Sequence, residues 1–242
     1  MDEIERFGEM LAASSRIVFF GGAGVSTESG IPDFRSSTGL YTTRAGDAMP
    51  PEYMLSHTCF RSQPEDFYAF YRANMLYPDA KPNAAHLALA RLEVQGKLTA
   101  VVTQNIDGLH QAAGSSTVHE LHGSVHRNYC LKCRANYGLD FILATTGVPM
   151  CTSCGWVVRP DVVLYEEGLD SDVIEASVDA LAAADMLIVG GTSLNVHPAA
   201  GLIRYYRGDR LALINKSQTP YDQKANLVIH DSLGTVLGAA VA

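Results

Sequence analysis

Arg16-Ile17-Val18-Phe19-Phe20 runs directly into Gly21-Gly22-Ala23-Gly24-Val25-Ser26-Thr27-Glu28-Ser29-Gly30. The four residues after Arg16 are apolar and β-branched or aromatic, the composition of a strand buried on both faces. Glycines at the end of such a strand resemble a dinucleotide-binding turn, in which the backbone approaches a pyrophosphate at a helix N-terminus. The same glycines are also compatible with a plain tight connection. A hydride-transferring nucleotide fold would place Asp or Glu about 20 residues further on to hold a ribose. Here that region reads Ser36-Ser37-Thr38-Gly39-Leu40-Tyr41, with neither a strand nor an acid.

On either side of this stretch, short apolar runs alternate with helical patterns. Ile4, Phe7, Met10 and Leu11 have helical spacing ahead of the first strand. Ala84–Leu92 precedes Thr99–Thr103, and Val173–Ala184 precedes Met186–Val189; further buried strands are expected at Val162–Tyr165, Arg210–Ile214 and Leu227–Ile229. Strands alternating with helices predict an α/β fold, a doubly wound parallel Rossmann-like sheet covered on both faces. Two stretches break the rhythm. Residues 35–82 are rich in aromatics, Pro and Met without strand signals, and residues 124–157 carry cysteines. The expected division is therefore a nucleotide-binding domain from 1–34, 83–123 and 158–242, with a smaller lobe built from a helical insertion (35–82) and a metal-binding module (124–157).

The cysteines form two pairs, Cys130-Leu131-Lys132-Cys133 and Cys151-Thr152-Ser153-Cys154, separated by 17 residues. Two C-x-x-C turns at this spacing predict one four-thiolate structural Zn²⁺ site, closed to water and substrate. Two disulfides or a redox-active pair are the alternatives. The chain starts Met-Asp-Glu-Ile-Glu-Arg, with no basic and apolar leader, so a cytoplasmic location with free thiols is expected. Cys59 stands apart and reads as a buried thiol. A net charge of −8 argues against the basic surface a nucleic-acid binder needs, and no apolar run has the length of a membrane span.

Downstream of the glycines comes Ile31-Pro32-Asp33-Phe34-Arg35, and the run from Gly22 to Arg35 resembles the signature of the sirtuins of bacterial type, NAD-dependent protein-lysine deacylases. Thr103–His110 (TQNIDGLH), Glu120–Ser124 (ELHGS) and Gly191–Leu194 (GTSL) match the same family in order, with the cysteine pairs between the last two. The resemblance covers about the whole chain. It implies that NAD and an acylated lysine of a protein or peptide give nicotinamide, O-acyl-ADP-ribose and free lysine, the acyl oxygen attacking the ribose carbon.

The resemblance also assigns residues. His122 is the general base for a ribose hydroxyl, a task suited to a group titrating near neutrality. Gln104 and Asn105 bind the nicotinamide ribose, with Asn105 also catalytic, and Ile106 and Asp107 hold the carboxamide. Taken alone, Asp107 ahead of Gly108 reads as a turn cap. Gly22, Ala23, Gly24, Ser26 and Thr27 line the phosphate turn. Asp33, Phe34 and Arg35 follow, Phe34 as a lid over the reacting ribose and Arg35 near the diphosphate. Gly191, Thr192, Ser193, Asn215 and Asp231 face the cofactor at strand ends. Val162 and Val196 join Ile106 and Asp107 as substrate contacts. His110, His119 and His126 read as structural.

Two departures affect the substrate. Many relatives carry Phe-Gly-Glu where this chain has Tyr165-Glu166-Glu167, so Glu166 stands in place of glycine and adds charge beside the edge expected to pair with the peptide. Relatives that remove succinyl or malonyl groups carry Tyr and Arg three residues apart; here Tyr71 falls at the arginine position and Arg72 lies one residue later. Acetyl and other neutral acyl groups are therefore expected. ADP-ribosyl transfer with the same cofactor, and a non-enzymatic zinc-ribbon interaction module, are the alternative functions.

Overall fold

A computed structural model describes residues 2–46 and 48–241. The chain opens with α1 (Glu3–Ala12), started by a capping box: the Asp2 carboxylate accepts from Ile4 N–H at 2.7 Å and Asp2 N–H donates to Glu5. β1 (Ile17–Gly21) follows. The chain then makes two 3-10 turns (Ala23–Val25 and Thr27–Ser29) and passes through α2 (Leu40–Thr43), α3 (Pro51–Met54), α4 (His57–Ser62) and α5 (Pro64–Met75). It returns through α6 (Ala84–Val94) to β2 (Leu98–Thr103), α7 (Leu109–Ala112) and β3 (Val118–Glu120). The cysteine region holds β4 (Gly123–Cys130), β5 (Asn136–Tyr137), α8 (Leu139–Ala144) and β6 (Val158–Val162). The remainder is α9 (Ser171–Ala183), β7 (Met186–Gly190), a 3-10 segment (Ala199–Tyr205), β8 (Leu211–Ile214), β9 (Leu227–Ile229) and α10 (Leu233–Ala240).

Six strands form one sheet in the order β3-β2-β1-β7-β8-β9, every neighbouring pair parallel. Numbered among themselves along the chain, they read 3-2-1-4-5-6, the doubly wound order whose ligand crevice lies where the direction of winding reverses. That point is between β1 and β7. The alternation of β1 explains how both faces are covered. Ile17 and Phe19 pack with Phe7 and Leu11 of α1, Leu89 of α6 and Leu237 of α10. Val18 and Phe20 pack on the other face with Leu181 of α9 and Leu202 and Ile203 of the 3-10 segment. Burial of this apolar area is the main driving term for the layering.

A third apolar cluster ties α2–α5 to the cysteine region, joining Leu55, Phe60, Phe67, Tyr68 and Tyr71 to Val125, Ile142, Val158, Val162 and Leu164. Cys59 lies inside it, fully buried, and burial pushes its thiol pKa up. Among the described residues no helix is long and apolar enough to cross a membrane.

Two sequence expectations are corrected, and one short strand was not expected. The strand expected at Val162–Tyr165 runs instead from Val158 to Val162 and pairs antiparallel with β4 in a small sheet ordered β5-β4-β6, so residues 158–162 lie outside the large sheet. An apolar run does not say which sheet it joins; the period-2 burial of Val158, Pro160 and Val162 marks a strand with one covered face, and Pro160 is tolerated because β6 is an edge. The Gly-rich turn leads into 3-10 turns where a helix was expected, with Asn83 Nδ2 donating to Val25 O at 2.8 Å and to Ser29 Oγ. β3 was not anticipated, being three half-buried residues at the sheet edge.

Candidate active site and metal centre

The loops after β1 and β7 touch at the crevice. Gly24 N–H donates to Gly191 O at 2.8 Å. A Cβ on Gly24 would lie 2.8 Å from Gly191 Cα, and one on Gly22 would lie 2.9 Å from Thr192 Cβ, so glycine is needed at both for this approach. Gly191, with φ of +59°, is needed for its backbone conformation as well. Beside this contact opens a cavity of about 970 Å³. Every residue assigned above to the cofactor or the substrate lines it: Gly22, Ala23, Gly24, Ser26 and Thr27 of the turn, Asp33–Arg35, Gln104–Asp107, His122, Val162, Gly191–Ser193, Val196, Asn215 and Asp231.

Their side chains are oriented by one another. His122 Nδ1 lies 2.9 Å from Gln104 O; a carbonyl only accepts, so Nδ1 carries the proton and Nε2 keeps a free lone pair. Burial pushes the His122 pKa below its ordinary value, with the Gln104 hydrogen bond opposing, so the ring is neutral at pH 7. Gln104 Nε2 donates to Thr192 Oγ1 at 3.1 Å, joining the β2 end to the β7 end. Ser26 is buried at the centre of a second chain: it donates to Asp107 Oδ2 at 2.6 Å and accepts from Asn105 Nδ2 at 3.0 Å. Asp107 Oδ1 meanwhile accepts from Leu109 N–H at 2.9 Å, so the residue is both turn cap and cavity wall.

Phe34 meets the Tyr41 ring edge-on at 5.7 Å, and the Arg35 guanidinium lies over that ring at 5.2 Å. Tyr41 in turn hydrogen-bonds Tyr165 hydroxyl to hydroxyl, linking the loop after the 3-10 turns to the segment following β6. Within that segment Glu166 has φ of +76°, a conformation that favours the glycine of its relatives. Its carboxylate accepts from Thr58 N–H at 2.9 Å and Thr58 Oγ1 at 2.7 Å, so the added charge is engaged at the N-terminus of α4. Glu167 is held by both terminal nitrogens of Arg159, at 2.9 and 2.8 Å, and by His57. Against the effect of burial, these bonds draw its carboxyl down to about 2.

The cysteines lie away from the cavity. Their four Sγ atoms are all within 4.8 Å of one another, with Cys130–Cys154 at 3.4 Å and Cys133–Cys151 at 3.5 Å. A disulfide needs about 2.05 Å, whereas a zinc tetrahedron with arms of about 2.3 Å has sulfur–sulfur edges of about 3.8 Å. The donor set and its spacing fit Zn²⁺. Backbone N–H groups of Lys132 and Cys133 point at Cys130 Sγ, and Tyr137 donates to Cys151 Sγ at 3.0 Å, an outer layer of the kind that orients thiolate ligands.

Sequence reasoning assigned His126 a structural place only; it lines the cavity, and its Nε2 lies 3.0 Å from Asp107 O. Lys216 and Tyr165 also line the cavity and were missed. Lys216 could have been found from its position just beyond the end of β8, where a doubly wound sheet places ligands. Nothing local in the sequence marks Tyr165. His110 and His119 lie outside the cavity wall, as read, and Arg72 is turned from it, its Nε donating to Ile142 O at 3.1 Å.

The Sir2 family model matches residues 22–198 of this chain. The chain belongs to the Sir2 family. It is 60% identical, over its full length and 99% of the relative, to a protein of Clostridium acetobutylicum named NAD-dependent protein deacetylase. A protein of the same name from Clostridium perfringens is 59% identical over 99% of both chains. Among solved structures, a Sir2 variant with deacetylated p53 peptide and 3′-O-acetyl-ADP-ribose superposes with a TM-score of 0.88 at 36% identity, covering 99% of each chain. A Sir2 complex with p53 peptide and NAD⁺ does so with 0.84 at 38% identity, over 98% of this chain and 96% of that one. The parallel sheet and the four-cysteine cluster of this chain are thus those of a Sir2-family fold.

Proposed function

We propose that this Sir2-family enzyme removes acetyl groups from lysine side chains of proteins, consuming NAD and giving nicotinamide, O-acetyl-ADP-ribose and free lysine. The observation that carries this reading is the His122–Gln104 bond, because it fixes a neutral imidazole with its basic nitrogen unprotonated inside a cavity of dinucleotide size. The glycine cradle supports NAD at this crevice, since side chains at 22 or 24 would fill the space against Gly191 and Thr192. NAD supplies a ribose carbon whose bond to nicotinamide can be broken.

The chain's own residues do the rest. The turn from Gly22 to Thr27, with Arg35, would hold the diphosphate, and Thr192, Ser193, Asn215 and Asp231 the adenosine half. Gln104 and Asn105, each already oriented by a partner, retain amide donors and acceptors for the ribose hydroxyls. Asp107 and Ile106 would take the carboxamide. Phe34, braced by Tyr41, would exclude water from the reacting carbon. His122 Nε2, left unprotonated, would accept the proton of a ribose hydroxyl and so free that oxygen to bond the acyl carbon. β6 is an edge strand, which suits pairing with an extended peptide, and Val162 and Val196 would flank the acyl-lysine. None of the five cysteines is in a disulfide, which suits a reducing compartment, and the cytoplasm is the location we propose.

Replacing His122 by Ala tests the reading: deacetylation should fall by a factor on the order of 10² to 10⁴ with zinc content and melting temperature preserved. In the wild type the acid limb of kcat/KM should lie below the ordinary histidine value, because the folded pKa is lowered. Near-normal turnover by a folded, metal-loaded variant would remove His122 from the mechanism.

A further inference from the structure

α5 lines the cavity with Tyr71, Asn74 and Met75. The two polar members differ. Asn74 is satisfied, accepting from Arg44 at 3.0 Å and donating to Phe70 O at 2.8 Å. Tyr71 is 1% exposed, its ring stacked on Phe67 at 5.6 Å, and its hydroxyl is buried with no hydrogen-bond partner. Native folds rarely leave a buried hydroxyl unpaired, because its desolvation then goes uncompensated. The ring belongs to the same apolar cluster as Val162, proposed above to flank the acyl-lysine, and lines the same cavity.

We infer that the Tyr71 hydroxyl is a specificity contact for acyl-lysines whose short acyl chain carries a neutral hydroxyl. This rests on the deacylase reading and sharpens its substrate class. A phenol hydroxyl both donates and accepts, and so does an alcohol, so the two can satisfy each other in a dry pocket. A carboxylate brings a charge that needs a cation. The neighbouring Arg72 does not line the cavity: its guanidinium lies over the Tyr68 ring at 5.3 Å and its Nε donates to Ile142 O. An unsubstituted alkyl chain would leave the phenol as it is, unpaired, and exclude any water that could serve it.

The test compares kcat/KM for butyryl-lysine peptides with that for their 2-hydroxybutyryl and 3-hydroxybutyryl counterparts, in wild type and in Tyr71→Phe, with NAD present. Wild type should favour at least one hydroxyacyl peptide over butyryl by roughly fivefold to tenfold, the worth of one buried hydrogen bond. Tyr71→Phe should abolish or reverse that preference. Its melting temperature should equal or exceed that of wild type, because the oxygen removed had no partner. A hydroxyacyl-to-butyryl ratio unaltered by the substitution, or a clear fall in melting temperature, would overturn the inference. Wild type that releases no nicotinamide with an acetyl-lysine peptide would instead overturn the parent reading.

Discussion

Glu166 stands where many relatives have glycine, and its geometry turns that substitution into a measurable balance. A non-glycine residue at φ of +76° carries about 1 to 2 kcal/mol of backbone strain. Its carboxylate offsets this by accepting from the N–H and hydroxyl of Thr58 in the first turn of α4, a cap worth about 1 kcal/mol. Glu166→Ala keeps most of the strain and loses the cap. Glu166→Gly loses the same cap but recovers about 1 kcal/mol of strain. The alanine variant should therefore be the less stable by about 1 kcal/mol, which for a chain of this size is about 2–4 °C in melting temperature. Thermal unfolding of the three proteins followed by circular dichroism reads the order directly: Ala lowest, with Gly close to wild type. An alanine variant melting at or above the glycine variant would refute the assignment of strain to this residue.

Other consequences follow from the same geometry. Cys130→Ala or Cys151→Ala should lower zinc stoichiometry and loosen the lobe around β4, because ligand binding energy is folding energy in such modules; wild type purified without zinc and with all thiols titrating freely would contradict the four-thiolate site. Burial holds His86 down to about 4 and His110 to about 3, against 6.5 unperturbed. As pH falls below 6.5 the unfolded chain takes up these protons first, so the stability they contribute is complete above that value and declines towards pH 4. The melting temperature should drop between pH 6.5 and 4.5, and a flat profile there would be inconsistent with two buried neutral imidazoles. With Arg72 on Ile142 O, acetyl-lysine peptides should exceed succinyl-lysine peptides in kcat/KM; a succinyl preference that collapses in Arg72→Ala would show the guanidinium reaching the acyl group.

The sheet was legible because β1 and β7 are short apolar runs that end in glycine, the pattern of a strand covered on both faces. The zinc site was legible because spacing alone brings the thiols together. What stayed hidden depends on partners distant in sequence. Val158–Val162 carries the alternation of a one-sided strand, but only its pairing with β4 assigns it to the small sheet. Asp107 looked like a turn cap or a pocket residue, and its two oxygens divide between Leu109 and Ser26. Glu166 read as added charge beside the peptide edge, because nothing in its sequence neighbourhood announces Thr58. Tyr41 and Tyr165 are 124 residues apart, and no periodicity predicts that their hydroxyls meet.

The most direct measurement is a product balance by mass spectrometry after mixing the protein with NAD and an acetyl-lysine peptide. Nicotinamide should be released one for one with deacetylated lysine, and the acetyl group should be recovered as an ester of ADP-ribose. Acetate in its place with NAD intact, or ADP-ribose attached to protein with the lysine still acetylated, would contradict the account.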